Sequence, residues 1–208
     1  MRLVLFALIV CAIVGIGLHA AADEPPLTDG WYVDEGACPF EGCTYRDWTA
    51  EADTLLYAAP WSTQVAGTAA TGDTVEGQTG IVYTKPVPIK VAYPTRVEVY
   101  KNGLGLIGLD LAPGQTLYLL TNLGEGAFLS WFSGQLLDFE PDATMLTDLP
   151  GIGWGVASCR GPSAQCWWLA EPGRQRYESV WWAKIRLPDG TSGWTRELGN
   201  FGNIDALG

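Results

Sequence analysis

The 208-residue chain carries 12 basic and 23 acidic residues, a formal charge of −11, together with 26 glycines, 10 tryptophans and a single histidine. So few cations exclude nucleic acid as the main partner, because phosphate binding needs a dense basic footprint. The acidity is uneven: residues 23–150 hold 5 basic and 18 acidic residues, whereas residues 151–208 hold 6 and 5.

At the N-terminus, Arg2 precedes an apolar run from Leu3 to Leu18 and then Ala20, Ala21 and Ala22. This layout predicts a signal peptide over residues 1–22, cleaved near Ala22, and a periplasmic or secreted chain. An uncleaved anchor and lipidation at Cys11 are the alternatives. The run is short for a spanning helix, and Val10 is a poor neighbour for a lipidated cysteine. With the signal peptide removed, no integral membrane span is expected. The only histidine, His19, leaves with it, so no Ser-His-Asp triad, Cys-His pair or histidine-held zinc can be built.

Residues 23–47 read as a polar, proline-containing leader, flexible at its start, with a loop bounded by Cys38 and Cys43. Cys159 and Cys166 make the cysteine count of the exported chain even, which argues for disulfides. Three pairings exist; the two local ones, Cys38 with Cys43 and Cys159 with Cys166, are expected. The spacings do not fit a zinc knuckle or ribbon, and neither metal nor cofactor is expected.

Residues 48–95 form a first unit, in which DTLLYAA, QVAGTA, TVEGQT, GIVYTKP and IKVAY are short β-rich runs broken by Gly, Pro, Asp and Thr. Such spacing predicts an all-β sandwich or barrel, and Pro60 interrupts a helical reading of DTLLYAAPW. Residues 96–208 form a second unit. RVEVYKNGLGLIGLDL has a Lys-Asn-Gly hairpin turn, and two strands flank Gly124-Glu125-Gly126 before a turn at Ser133-Gly134. Residues 141–178 are an inserted loop carrying the second cysteine pair and the glycine-rich GIGWG of residues 151–155. The strands WWAKIR and TSGWTREL close the unit around Leu187-Pro188-Asp189-Gly190. Period two puts Trp181, Ala183 and Ile185 on a core-like face and Trp182, Lys184 and Arg186 on a groove-like one. Gly103, Gly105 and Gly108 match the letters of a dinucleotide fingerprint, but no helix pattern follows.

Trp182, Lys184, Ile185, Asp189, Gly190, Gly193 and Trp194 form a late hairpin, and Tyr57, Pro60, Val65, Gly67 and Gly72 an early strand and turn. Together they resemble the bacterial SH3-like (SH3b) domains. The resemblance implies one or two small SH3-like barrels with a disulfide-stapled inserted loop. It also implies a non-catalytic exported binding module that recognises a cell-wall peptide or another extracytoplasmic ligand. On that reading Tyr57, Trp61, Trp182 and Trp194 line a groove and Lys184 and Arg186 contact anions; the opposing reading makes the tryptophans core. Residues 48–95 lack their own late hairpin, so the C-terminal hairpin is alternatively the closing piece of a single expanded barrel. A structural protein docking other exported proteins, through its barrels or residues 141–178, is the second functional class. A carboxylate-based glycoside hydrolase is the third, although Asp34 with Glu35 and Glu51 with Asp53 read as solvated pairs.

Overall fold

The structure, a computed structural model, describes residues 23–124, 126–140, 168–169 and 177–207. The expected signal peptide, the Cys159 and Cys166 pair, GIGWG and most of the 141–178 insertion lie outside the described residues. The described chain is all-β, with no α-helix. Its strands are β1 (Tyr32–Glu35), β2 (Asp47–Ala50), β3 (Thr54–Tyr57), β4 (Val65–Ala69), β5 (Thr74–Lys85), β6 (Val87–Val91), β7 (Thr95–Lys101) and β8 (Gly105–Leu111). They continue as β9 (Thr116–Gly124), β10 (Ala127–Phe132), β11 (Gln135–Phe139), β12 (Trp168–Leu169), β13 (Glu178–Arg186), β14 (Ser192–Thr195) and β15 (Phe201–Gly202).

Two sheets hold these strands. The first runs β15-β2-β5-β13-β14-β3-β4, with β1 also on β5; the second runs β12-β6-β9-β10-β11-β7-β8. TVEGQT and GIVYTK, separate runs in the sequence reading, are one strand, β5, because Gly80 continues the ladder opposite Ala183. A side chain there would collide with Tyr45 Oη and Trp181 Nε1. β5 lends one edge wholly to β13, and divides the other between β2 near its start and β1 near its end.

Each sheet packs around its own core. In the first, Trp48, Leu56, Ala69, Val75, Ala183, Ile185 and Phe201 form one buried cluster, drawn from strands at both ends of the sheet. A flat sheet could not bring those ends together, so this one curls. Trp48 is fully buried and satisfies its indole by donating to the Thr44 carbonyl at 3.0 Å. In the second sheet Val87, Ile89, Val99, Leu117, Leu119, Phe128, Leu137 and Phe139 make the equivalent cluster.

Sheet membership runs across residue 95, with the C-terminal hairpin joining the earlier strands as in the alternative of a hairpin that closes the first unit. β13 and β14 pair with β5 and β3, so the C-terminal hairpin belongs with the strands of residues 47–85. The strands of residues 87–139, inserted in the chain between β5 and β13, form a separate sheet together with β12. The physical reason is the missing edge partner: β5 has a free side that only another long strand can fill, and the nine-residue β13 fills it. Nor is the leader free. Pro25 is buried, and Asp29-Gly30 makes a tight turn, φ 51° and 78°, bridging Thr28 to Trp31. Cys38 and Cys43 are disulfide-bonded, with Cα atoms 5.5 Å apart.

Candidate functional site

Adjacent tryptophans on β13 point to opposite faces of the first sheet. Trp181 turns inward, edge-on to Phe40 at 5.9 Å and to Trp48 at 6.5 Å. Its indole donates to Tyr45 Oη at 3.2 Å, and Tyr45 in turn donates to the Ala37 carbonyl. Burial, foremost, pushes the Tyr45 phenol up to about 12, so it stays a neutral donor.

Trp182 turns outward, and cross-strand register shows what it meets. Lys184 lies opposite both Thr79 and Trp194, Trp194 opposite Tyr57, Trp182 opposite Ile81, and Val180 opposite Tyr83. Opposed residues share a face. Tyr57, Trp182 and Tyr83 therefore lie on the outer face with Lys184 and Trp194. Trp61, from the β3–β4 connection, folds onto this face, with its ring 5.6 Å from Trp182 and 5.5 Å from Tyr83, both edge-on. Tyr57 meets Trp182 at 6.1 Å, and Trp31 meets Trp61 at 6.0 Å. The result is a continuous aromatic ribbon, Trp31–Trp61–Trp182–Tyr57, with Tyr83 at its side.

Two cations sit on the ribbon. The Lys85 ammonium is 4.2 Å from the centre of the Trp31 ring, and the Arg196 guanidinium is 5.9 Å from that of Trp182. Among the described residues the ion pairs are Arg96–Asp110 and Arg186–Glu76, and Lys85, Lys184 and Arg196 are in neither. Tyr83 has its pKa raised, by burial first, then by the Glu35 carboxylate nearby.

The six residues expected to form a groove are divided by this geometry. Tyr57, Trp61 and Trp182 come together. Trp194 and Lys184 share their face, half-buried. Arg186 is at the far end of β13, paired with Glu76 directly across the strand. Trp182 is not an open platform either: it is 3% exposed, capped by Trp61, Tyr57 and Arg196, and its indole N–H has no partner among the described residues. The accessible ring is Trp61, 48% exposed and held at φ 62°, a left-handed backbone that a bulky residue seldom adopts. Trp31, Tyr83 and Lys85 escaped the sequence reading. For Trp31 the signal was present, an Asp-Gly turn followed by the alternating WYVDE.

The carboxylate pairs do not assemble. Asp34 shares its face with Val82 and is half-buried beside Thr121, while Glu35 shares the opposite face with Ile81. Asp53 accepts from the Thr71 amide and hydroxyl at the surface, which lowers its pKa. Among the described residues no group of three or more His, Cys, Asp or Glu side chains could hold a metal ion. No described helix is long and apolar enough to cross a membrane. Comparison with protein-family models, curated proteins and solved structures finds no match to this chain.

Proposed function

We propose that the protein is an exported, non-catalytic binding protein of SH3-like character, and that the outer-face aromatic ribbon takes a cell-wall peptide or a similar extracytoplasmic ligand. One observation carries this reading: Trp61 is displayed at a strained backbone angle above an already packed aromatic floor. A ring whose only role was to fill space would not need to be half exposed at a left-handed φ. Such strain of roughly 1–3 kcal/mol persists where surrounding structure enforces it, often at ligand sites. Lys85, Lys184 and Arg196, outside any described ion pair, supply contacts for the carboxylates of a peptide, while the aromatic edges take its apolar body. The apolar N-terminal run and the Cys38–Cys43 disulfide support export.

The test is co-sedimentation with insoluble cell-wall sacculi, wild type beside Trp61→Ala and Trp194→Ala. Wild-type pelleting that falls at least about tenfold for Trp61→Ala, a loss of about 1.4 kcal/mol, with an unchanged near-ultraviolet spectrum apart from the lost indole, is expected. Equal pelleting of the wild type and Trp61→Ala, or none by the wild type, would sink the reading.

A further inference from the structure

The strand β8 is an open edge of the second sheet. Among the described residues it pairs with β7 alone, in an unbroken register from Thr95–Leu111 to Lys101–Gly105, with no bulge. Natural sheets protect such an edge with a lysine, a proline, a bulge or a very short strand. GLIGLDL has none of these over seven residues. Its one charge, Asp110, already accepts from Arg96 Nη1 through both carboxylate oxygens, at 2.9 and 2.8 Å. The Arg96 guanidinium lies flat over Gly108, where a Cβ would collide with it.

Beside this edge the outer face is open, with large apolar side chains exposed next to Arg96, Glu98 and Asp110. Leu104 is 65% exposed and Leu106 66%, and Tyr100, directly opposite Leu106, is 50% exposed. Charge tells which partner fits. The chain as a whole is strongly acidic, but residues 87–139 carry 3 basic and 4 acidic residues and are close to neutral. A second copy can approach this part of the molecule without the repulsion that the acidic remainder of residues 23–150 would impose.

We propose that two copies of the chain join edge to edge through β8, antiparallel, about a two-fold axis at Gly108. That axis pairs all seven residues of the strand with their counterparts. It sets Ile107 opposite Leu109 of the second copy on the core side, and Leu106 opposite Asp110 of the second copy on the outer side. Glycine at the centre leaves the two Arg96–Asp110 pairs room to meet across the axis. The two sheets then become one continuous sheet, and the backbone groups of both edges are satisfied by strand addition.

Register makes the proposal testable by charge reversal at one exposed site. Sedimentation equilibrium and light scattering of the purified chain over a concentration series should show a doubling of mass. Leu106→Glu places like charges opposite each other twice per dimer and should weaken association by about tenfold or more. Leu106→Lys faces Asp110 of the second copy and should keep the dimer. Near-ultraviolet circular dichroism confirms that both variants are folded. A wild type monomeric at all concentrations, or glutamate and lysine variants that behave alike, overturns the proposal.

Discussion

The backbone at Trp61 stores strain that a substitution series can read directly. Alanine at this position removes the ring but keeps a Cβ at φ 62°; glycine removes both. The difference between the two variants isolates the left-handed penalty, about 1–2 kcal/mol for a residue with a Cβ. Trp61→Gly should therefore be more stable than Trp61→Ala by about 1 kcal/mol in urea unfolding, an inversion of the usual cost of glycine within a loop. Equal stabilities would show that the backbone relaxes once the ring is gone. Trp182 stands at the other extreme. It is buried among rings, and its contribution is packing, so its removal would report on folding rather than on ligand contact.

At the level of elements, the Cys38–Cys43 loop fastens the end of the chain. Cys43 bridges to Asp205, the Thr44 amide donates to the Ile204 carbonyl, and the Ala206 amide donates to the Gly42 carbonyl. Arg46 adds hydrogen bonds to the carbonyls of Asn203 and Asp205. Closing so short a loop removes about 2 kcal/mol of unfolded-chain entropy. Reduction should lower stability by about that amount, and amide exchange at Ala206 should quicken before exchange at Ile185. A reduced protein with unchanged exchange at Ala206 would show that the hydrogen bonds alone hold the C-terminus.

Most elements were legible in the sequence because their punctuation is local. The Asn-Gly turn before β8, Ser133-Gly134 before β11 and Asp189-Gly190 before β14 each mark a hairpin, and alternation in WWAKIR assigned both tryptophans to their faces. What escaped was non-local. Nothing near β13 says that its neighbour is β5, and nothing in residues 57–61 says that Trp61 will fold over Trp182. β1 was hidden by its place in a polar leader, and Lys85 by the proline that follows it.

At the scale of the whole molecule, the two sheets meet around β5 and β6, which are separated only by Pro86, and around a polar seam. Tyr177 packs edge-on against Phe128 at 5.6 Å, and its hydroxyl accepts from the Asn122 amide at 2.9 Å. Asp34 enters the same seam. Burial raises its pKa above the usual carboxylate value, and the Thr121 hydroxyl on β9 offsets only part of that. The folded state thus holds this proton more tightly than the unfolded chain. The stability it contributes is complete below the unfolded pKa and is lost as pH rises through the folded one. Asp34→Asn should accordingly gain stability relative to wild type as pH rises from the ordinary carboxylate range to neutrality. Parallel urea curves for the two proteins across that range would contradict the assignment.

The insertion of the second sheet in the chain between β5 and β13 also bears on how the first sheet closes. Lys85 and Glu178 face each other in the finished ladder, yet they stand roughly 90 positions apart along the chain, a closure that costs about 4 kcal/mol if the intervening segment is loose. Strands β6 to β11 are joined mostly by short hairpins and can assemble with no help from either end. Once assembled they act as a clasp, shortening the effective loop before β13 seeks its place. The first sheet thus depends on the inserted strands to bring its two chain-distant halves, β1–β5 and β13–β15, within reach of each other.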